Sequence, residues 1–372
     1  MKIFVFGSSL TSSYWNGAAT YYRGIYKSLC RLGHHITFAE PDIYQRQQNR
    51  DLREIDYSDV IVYQTPADLP TLLNRARQCD LVIKHSGVGA YDELLEHEVL
   101  ECQSLHTKVA FWDVDAPATL ARVEGDSDEP FRTLIPQYDF IFTYGGGTPV
   151  IQHYLRLGAQ NCNPIYNGLD PETHYPVSSD ARFECDLVFV GHRLPDREHR
   201  VAEFFFKAAR AAPDLTFILG GEGWGSRSLP TNVRWIGHVG SADHSRINCS
   251  ARMVLNVNRD SMASVGFSPP TRVFEAAGAG ACLISDAWLG VDEFFRIGSE
   301  LLVAHDGYEV VELLRKHSRL QSDKIGRAMR ARALRDHTYS LRAIQFQQIV
   351  APEPATGESS PETVVSNLEP AR

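Results

Sequence analysis

Charged, hydroxyl-bearing and helix-initiating residues lie close together in residues 254–286, in an order suited to binding an anion. The segment reads VLNVNRDSMASVGFSPPTRVFEAAGAGACLISD, an apolar run followed by a loop, a helix and a second apolar run. Ser268 is predicted to cap the helix, and the two following prolines suit its first turn because their missing N–H groups would be unpaired there. A helix N-terminus attracts anions, and Arg272 adds a fork that holds two phosphate oxygens. The stretch therefore predicts a phosphate site.

Other polar residues of the same stretch extend this predicted site. Glu275 follows Arg272 by about one helical turn and could accept hydrogen bonds from a diol such as a ribose. Asn256, Asn258 and Arg259 follow the first apolar run and are expected to line the same cleft. An alternative stays open, in which the helix is an ordinary capped one and Arg272 pairs with Glu275 at i, i+3.

Apolar runs alternate with helical or polar segments along the first half of the chain. The runs are residues 2–6, 35–39, 60–63, 81–84, 109–112 and 140–143, with a helix predicted over 21–32. This alternation is typical of a parallel sheet with crossover helices. In such sheets, ligands bind beyond the carboxyl ends of the strands. Candidate site residues are therefore Asn16 and Gly17 in the first loop, and His85, Asp113 and Asp115 after later runs. The first loop lacks GxGxxG, which opposes a dinucleotide site there.

The second half repeats the pattern with new apolar runs. They are residues 187–190, 215–219, 233–236, 254–258, 281–285 and 301–304. We therefore predict an α/β fold of two doubly wound Rossmann-like domains, residues 1–176 and 177–350, facing each other across a cleft. Residues 351–372 are rich in Pro, Ser and Glu and are predicted to be a disordered tail.

The composition limits which classes of protein this chain can belong to. A chain of 372 residues that is 43% hydrophobic and 22% charged is typical of a soluble protein with two domains. The formal charge of -9 opposes nucleic acid as a partner. Seven cysteines without a CxxC pair fit reduced thiols, and no apolar run reaches the length of a membrane span. We therefore expect a cytoplasmic protein with no membrane span.

Several short motifs resemble those of one enzyme class. They are GHR at 191–193, GGEG at 220–223, GHVG at 237–240, TRVFEAAGAGACLISD at 271–286, FWDVDAP at 111–117 and NGLDP at 167–171. Together they resemble glycosyltransferases of the GT-B fold, and most nearly the CgeB-like group, which is named after a spore-maturation protein. The resemblance covers roughly residues 1–350.

The resemblance implies a reaction and its partners. A sugar would pass from a nucleotide diphosphate sugar, bound by the second domain, to a small-molecule, glycan or protein acceptor on the side of the first domain. No cofactor is expected, and Asp113-Val-Asp115 is not expected to bind a metal because it lies in the half away from the phosphate loop. Two alternatives stay open: a nucleotide-sugar epimerase or other enzyme of the same fold, and a non-catalytic nucleotide-sugar binding protein.

The resemblance also assigns roles to residues. Arg193 and Arg272 are expected to stabilise the leaving diphosphate, with help from backbone N–H groups at Gly191 and at residues 268–271. The rest of the predicted donor site is His192, Arg197, Asn256, Asn258, Arg259, Ser268, Thr271 and Glu275.

A general base from the first domain is needed unless the reaction retains configuration, and three residues are candidates. They are His85, Asp113 and Asp115. A histidine after a strand is more often structural, however, and Asp115 could instead cap the helix that Pro117 starts.

One position departs from the resemblance. Many retaining members of the wider fold carry a glutamate eight residues before the one matched by Glu275, and this chain has Phe267 there. That carboxylate is usually credited with contacting the donor sugar. The sequence therefore predicts neither the sugar nor the stereochemical outcome.

Overall fold

The first half of the chain forms a sheet of seven parallel strands in the computed structural model, which describes residues 1–351. The strands are β1 (Lys2–Phe6), β2 (His35–Pro41), β3 (Asp59–Tyr63), β4 (Leu81–His85), β5 (Lys108–Asp113), β6 (Phe140–Thr143) and β7 (Asn163–Pro164). Their order is β3-β2-β1-β4-β5-β6-β7, so the chain winds outward from β1 in both directions. This is a doubly wound sheet, and its direction of winding reverses between β1 and β4.

Helices cover both faces of this first sheet. They are α1 (Ala19–Arg31), α2 (Leu69–Ala76), α3 (Asp92–Glu98), α4 (Ala116–Gly125), α5 (Pro130–Leu134) and α6 (Gly147–Arg156), with 3-10 turns at Pro66–Asp68, Val99–Cys102 and Ile135–Gln137. Alternate residues of β1 enter different cores: Phe4 and Phe6 face one, and Ile3 and Val5 face the other. Burial on both faces explains why the strands read as continuous apolar runs.

The second half forms a six-stranded parallel sheet. Its strands are β8 (Cys185–Val190), β9 (Phe217–Gly220), β10 (Val233–Trp235), β11 (Ala251–Asn256), β12 (Leu283–Asp286) and β13 (Leu302–Ala304). The order β10-β9-β8-β11-β12-β13 repeats the doubly wound pattern, with its reversal between β8 and β11. The prediction of an α/β fold with two doubly wound sheets is therefore confirmed.

The helices of the second half are shorter near the predicted site and longer towards the end of the described chain. They are α7 (Pro195–Val201), α8 (Lys207–Ala211), α9 (Ser241–Ser250), α10 (Asp260–Val265), α11 (Thr271–Ala279), α12 (Val291–Phe294), α13 (Gly307–Lys316), α14 (Arg319–Asp336) and α15 (Tyr339–Val350). A π-helical segment, Ala202–Phe206, joins α7 to α8, and Ala181–Phe183 forms a 3-10 turn.

Helix α15 crosses back and packs against the first sheet. Tyr339, Ala343 and Phe346 are buried in the same core as Ile3 and Val5. This helix was predicted within the second domain, 177–350, but its apolar face completes the core of the first sheet instead. The domain boundary after residue 176 stays a prediction, and the predicted disordered tail lies outside the described residues from 352 onward.

The described helices also bear on the predicted absence of a membrane span. Over residues 1–351, no helix combines the length and the apolar composition needed to cross a bilayer.

Candidate functional site

A cavity of about 460 Å³ lies between the two halves of the chain, beside the reversal point of each sheet. From the first half, Ser8 and Gly87 follow β1 and β4 and line the cavity. From the second half, Gly191 and Asn258 follow β8 and β11 and line it too. Doubly wound sheets bind their ligands at this place, where neighbouring crossover connections diverge. The predicted cleft is therefore present, with walls from both halves.

Two arginines lie together in this cavity without a carboxylate partner. A Cβ added to Gly191 would lie 2.9 Å from Nη2 of Arg197 and 3.0 Å from Nη2 of Arg272. Within residues 1–351, no carboxylate oxygen lies within 4.0 Å of either guanidinium group. Burial and the neighbouring Arg272 lower the pKa of Arg197 to about 9, and burial also lowers the pKa of Arg272. The pair concentrates positive charge that a bound anion would neutralise.

Strand β11 holds Arg272 in position. Nη1 of Arg272 donates to Oδ1 of Asn256 over 3.0 Å, and Nδ2 of Asn256 donates to Oγ of Ser285 over 3.0 Å. Asn256 is fully buried and is outside the cavity lining. The prediction that Asn256 lines the cleft is thus corrected, because its amide orients Arg272 instead.

The N-terminus of α11 points its first residues at the cavity. Pro270 and Thr271 line the cavity, and the first N–H groups of a helix have no acceptor inside that helix. Ser268 also lines the cavity, but it does not cap the helix as predicted. Its hydroxyl donates to the carbonyl of Gly266 over 2.9 Å, and the residue that precedes α11 is Pro270.

The segment after β8 lines the cavity, but the N–H of Gly191, which was predicted to bind the diphosphate, is already used. The N–H of Gly191 donates to the carbonyl of Gly220 over 2.9 Å, so it is not free to hold a phosphate. His192 lines the cavity, and its Nδ1 accepts a hydrogen bond from the N–H of Glu222 over 3.1 Å. Burial lowers the pKa of His192, which favours the neutral ring.

Arg193, one of the two arginines expected at the diphosphate, lies outside the cavity lining. Its Nη2 pairs with Glu198 over 2.7 Å, and its Nη1 donates to Oγ of Ser226 over 3.1 Å. The structure therefore contradicts the prediction for Arg193. Arg197, one helical turn further on, occupies the place beside Arg272.

Arg259 joins the two halves of the chain across the cavity. Its Nη1 lies 2.7 Å from Oδ2 of Asp115 in the first half, and its Nε lies 2.5 Å from Oδ2 of Asp196 in the second. Asp115 precedes α4 without capping it through its side chain. The other oxygen of Asp115, Oδ1, is buried without a hydrogen-bond partner, as is Nδ2 of Asn258. Both residues line the cavity, although these two atoms are themselves shielded from solvent.

His85 and Asp113, the other two candidates for a general base, are enclosed by the first half. Nε2 of His85 lies 2.5 Å from the hydroxyl of Tyr26, and burial lowers the pKa of His85 to about 3. Asp113 accepts hydrogen bonds from Ser86 over 2.7 Å and Tyr154 over 2.5 Å, and burial raises its pKa. Both side chains are fully buried and outside the cavity lining. Their enclosure contradicts a role in accepting a proton from a substrate in the cleft.

A second, smaller cavity of about 160 Å³ adjoins the first near Arg272 and Glu275. Oε1 of Glu275 accepts a hydrogen bond from Oγ1 of Thr20 over 3.2 Å, so this contact also spans the two halves. Burial raises the pKa of Glu275, but His244, His174 and Arg272 outweigh it and the pKa is lowered overall. Glu275 is thus a carboxylate at the edge of a cavity large enough for one planar or furanose ring.

The loop after β1 forms part of the cavity wall that the first half supplies. Nδ2 of Asn16 donates to the carbonyls of Ser9 over 2.8 Å and Ser12 over 3.0 Å. Asn16 and Gly17 both line the two cavities, but the amide of Asn16 is used to shape the loop. The side chain of Asn16 therefore holds the backbone of this loop in position.

Trp15 and Arg46 are among the cavity residues of the first half that the sequence analysis did not predict. Trp15 stacks on His192 across the cleft, with ring centroids 5.0 Å apart and an interplanar angle of 18°. Arg46 donates to the carbonyls of Ser8 and Trp15, each over 3.1 Å, and ties the loop after β2 to the loop after β1. Trp15 precedes Asn16, which was predicted as a site residue, and could have been included for that reason. No neighbouring motif in the sequence indicated Arg46.

Phe267 stands where many retaining members of the fold carry a glutamate. Its ring and its backbone carbonyl both make contacts. Its φ is 46°, and its ring fills the space beside Gly147 and Gly290, where an added Cβ would lie 2.7 Å and 2.2 Å from ring atoms. Its carbonyl accepts a hydrogen bond from the N–H of Gly146 over 2.9 Å. Phe267 therefore helps to join the second half to the first.

Comparisons with known proteins agree with this architecture. Residues 197–348 match a protein-family model described as glycosyl transferase-like. No curated protein matches the chain. Solved structures match nearly its whole length, and among them is an α-glucosyltransferase in complex with UDP-glucose and DNA containing an abasic site. That structure has a TM-score of 0.70 at 11% identity, covering 94% of this chain and 99% of the other.

Two further structures resemble the chain to a similar degree. HepE from Anabaena, in complex with UDP and glucose, has a TM-score of 0.67 at 12% identity and covers 94% of this chain and 99% of its own. Sucrose-phosphate synthase from Thermosynechococcus elongatus has a TM-score of 0.66 at 15% identity, with 94% and 98% covered. The protein has the GT-B fold. The more specific likeness to the CgeB-like group is not confirmed and stays a prediction.

Proposed function

We propose that this GT-B protein is a glycosyltransferase that takes its sugar from a nucleotide diphosphate sugar. The observation that carries the proposal is the pair of partly buried arginines, Arg197 and Arg272, with no carboxylate partner within residues 1–351. Glycosyl transfer breaks the bond between the sugar and a diphosphate, so negative charge develops on the leaving oxygen. Donors already held at that position stabilise the charge without reorganising. Each charged hydrogen bond is worth about 1.5–3 kcal/mol.

The two adjoining cavities suggest how the donor lies. The diphosphate is proposed to lie between Arg197 and the N-terminus of α11, which both border the larger cavity. The nucleoside then extends into the smaller cavity, where Glu275 accepts hydrogen bonds from the ribose hydroxyls. The structures that resemble the chain include complexes with UDP and UDP-glucose, which makes these the first ligands to test.

The sugar is proposed to lie in the larger cavity, beside the wall that the first half supplies. Asp115 is the one of the three candidate bases that lines this cavity, and its Oδ1 is buried without a partner. We assign to it the removal of a proton from the hydroxyl of a small-molecule, glycan or protein acceptor. The mechanism needs no cofactor in this proposal, because the arginines supply the positive charge at the diphosphate.

Nucleotide binding by calorimetry tests the assignment of the diphosphate site. Arg197→Ala and Arg272→Ala should each weaken UDP binding by about 10- to 100-fold, since each removes a charged hydrogen bond. Arg193→Ala is a matched control from the same segment and should bind UDP as the parent does. Equal affinity in all four proteins would overturn the assignment.

Product analysis tests the reaction itself. Incubation with UDP-glucose and a panel of acceptors should release UDP faster when the correct acceptor is present. An epimerase would change the sugar of UDP-glucose without releasing UDP, and a non-catalytic binding protein would leave UDP-glucose intact. Conversion of the sugar without release of UDP would exclude a glycosyltransferase, and so would the absence of nucleotide release from every nucleotide sugar that the protein binds.

A further inference from the structure

Two histidines and a glutamate meet beside the smaller cavity, and their ring nitrogens lack hydrogen-bond partners. Ligand atoms of His174, His244 and Glu275 all lie within 4.8 Å of one another. Nε2 of His174 and Nδ1 of His244 are buried without a hydrogen-bond partner. His174 is only 3% exposed, so solvent does not satisfy its nitrogen. We propose that His174, His244 and Glu275 bind a Zn²⁺ ion.

The composition of this cluster suits zinc. Zn²⁺ binds histidine nitrogens and carboxylate oxygens, and three protein ligands leave a fourth tetrahedral position for water or another molecule. A buried polar atom without a partner is destabilising, and the ion would provide a partner for two such atoms at once. The cluster thus contains three possible zinc ligands, and two of their nitrogen atoms lack a hydrogen-bond partner.

The spacing of the cluster also suits one shared ion. Nδ1 of His244 lies 3.6 Å from Oε2 of Glu275, which is longer than a hydrogen bond. Two ligands bound tetrahedrally at about 2.0–2.1 Å from one zinc ion are about 3.3–3.4 Å apart. The three ligand atoms lie within 4.8 Å of one another, so the side chains must move closer together to share one ion.

Zn²⁺ binds neutral histidine and ionised carboxylate, and one positively charged side chain lies close to this ligand set. The positive charge of Arg272, which lines both cavities, opposes a cation nearby, so the two histidines and Glu275 must bind the ion against this repulsion.

Packing between three distant segments places the ligands before any ion arrives. His174 lies in the loop between the two sheets, His244 on α9 and Glu275 on α11. Gly278 of α11 allows the loop to approach closely, since an added Cβ there would lie 2.5 Å from the carbonyl oxygen of His174. The two imidazole rings are stacked, with centroids 6.1 Å apart.

A consequence follows for nucleotide binding, and this part rests on the proposed function. Glu275 is the residue to which we assign the ribose hydroxyls, and coordination would occupy one of its oxygens. Oε1 already accepts from Thr20, so coordination through Oε2 would leave only one partly used oxygen for the two ribose hydroxyls. Zn²⁺ should therefore compete with UDP and inhibit the enzyme.

Cobalt titration of protein without an affinity tag tests the metal site, with Co²⁺ as a coloured substitute for Zn²⁺. The parent should bind one Co²⁺ per chain with a tetrahedral visible spectrum, without the charge-transfer band of a cobalt thiolate, and Zn²⁺ should displace it. His174→Ala and His244→Gln should weaken binding by more than about 100-fold, because even outer-shell partners of a metal change affinity by about 10- to 100-fold. His244→Gln, at the more exposed position, keeps the test valid if His174→Ala does not fold.

A matched control separates the cluster from other histidines. His305 pairs with Glu309 over 2.9 Å on the surface, so His305→Ala removes a histidine that adjoins a glutamate. This variant should bind Co²⁺ as the parent does. Absence of Co²⁺ binding by the parent, or unchanged binding by both cluster variants, would overturn the site.

Calorimetry then separates the metal site from the nucleotide site. Arg197→Ala should lose UDP binding and keep Co²⁺ binding, whereas His174→Ala should lose Co²⁺ and keep UDP. If the parent binds UDP but no Co²⁺, the metal site is wrong and the proposed function stands. If UDP and Zn²⁺ bind the parent independently, the overlap at Glu275 is wrong.

Discussion

At the scale of single residues, neighbouring arginines with the same chemistry have different roles because of their partners. Arg193 is tied to Glu198, and Arg259 is tied to Asp115 and Asp196. Arg197 and Arg272 have no such carboxylate within residues 1–351. A guanidinium group that is already paired loses much of its attraction for a ligand anion, so the absence of a carboxylate partner is the reason for proposing Arg197 and Arg272 as the phosphate ligands.

The role of Asp115 is tested by comparing it with Asp196, since both carboxylates pair with Arg259. Asp115→Asn should slow hydrolysis of UDP-glucose, with water as acceptor, by about 100-fold or more, because an amide cannot take up the proton. Asp196→Asn weakens the same arginine's other ion pair but lies outside the cavity lining, so it should change the rate only a few-fold. UDP affinity, measured in parallel, should remain near that of the parent for both.

Equal losses of rate in the two aspartate variants would contradict a base role for Asp115. That outcome would mean that both carboxylates act by holding Arg259 in place.

At the scale of elements, α15 links the two halves through apolar packing. Phe346 is fully buried and stacks on Trp112, with ring centroids 5.3 Å apart. Tyr339 lies against Gly24 of α1, where an added Cβ would approach Cδ2 of the tyrosine to 2.1 Å. The end of the described chain thus belongs to the core of the first sheet.

Removing the Phe346 ring should therefore destabilise the first half of the chain. Phe346→Ala should lower the free energy of unfolding by about 3–5 kcal/mol, measured by urea denaturation, because it leaves a large cavity in a closed core. Ile344→Ala, on the exposed face of the same helix, should change it by only about 0.5 kcal/mol. A loss at Phe346 no larger than that at Ile344 would contradict the packing of α15 on the first sheet.

At the scale of the whole molecule, contacts across the cavity hold the two halves close together. Arg259 pairs with Asp115, Thr20 donates to Glu275, and the N–H of Gly146 donates to the carbonyl of Phe267. The few polar contacts that cross the cleft allow it to open for exchange of substrate.

Arg259→Ala should shift the molecule towards an open cleft. We expect a larger radius of gyration by small-angle X-ray scattering than for the parent, because the ion pair that spans the cleft is lost. UDP should reduce this difference, since it contacts both walls. Arg246→Ala removes an ion pair within α9 alone and should leave the radius of gyration unchanged.

The fold was largely predictable because its strands are buried on both faces. Mostly apolar runs of four or five residues marked nearly every strand, and the polar residues after them marked the cleft. Strand β7, with only Asn163 and Pro164, was missed because it has no apolar run. The position of α15 could not be predicted, since an apolar helical face does not indicate which sheet it covers.

The sequence by itself determined the two parallel sheets, the cleft between them and the stretch 254–286 that borders it, because these follow from local apolar periodicity and turn residues. Only the tertiary structure decided that Arg197 and not Arg193 joins Arg272, that Asp115 reaches the cavity while His85 and Asp113 are enclosed, and that His174 and His244 meet Glu275. These outcomes depend on which partners distant segments bring to each side chain. Such partners are absent from the local sequence.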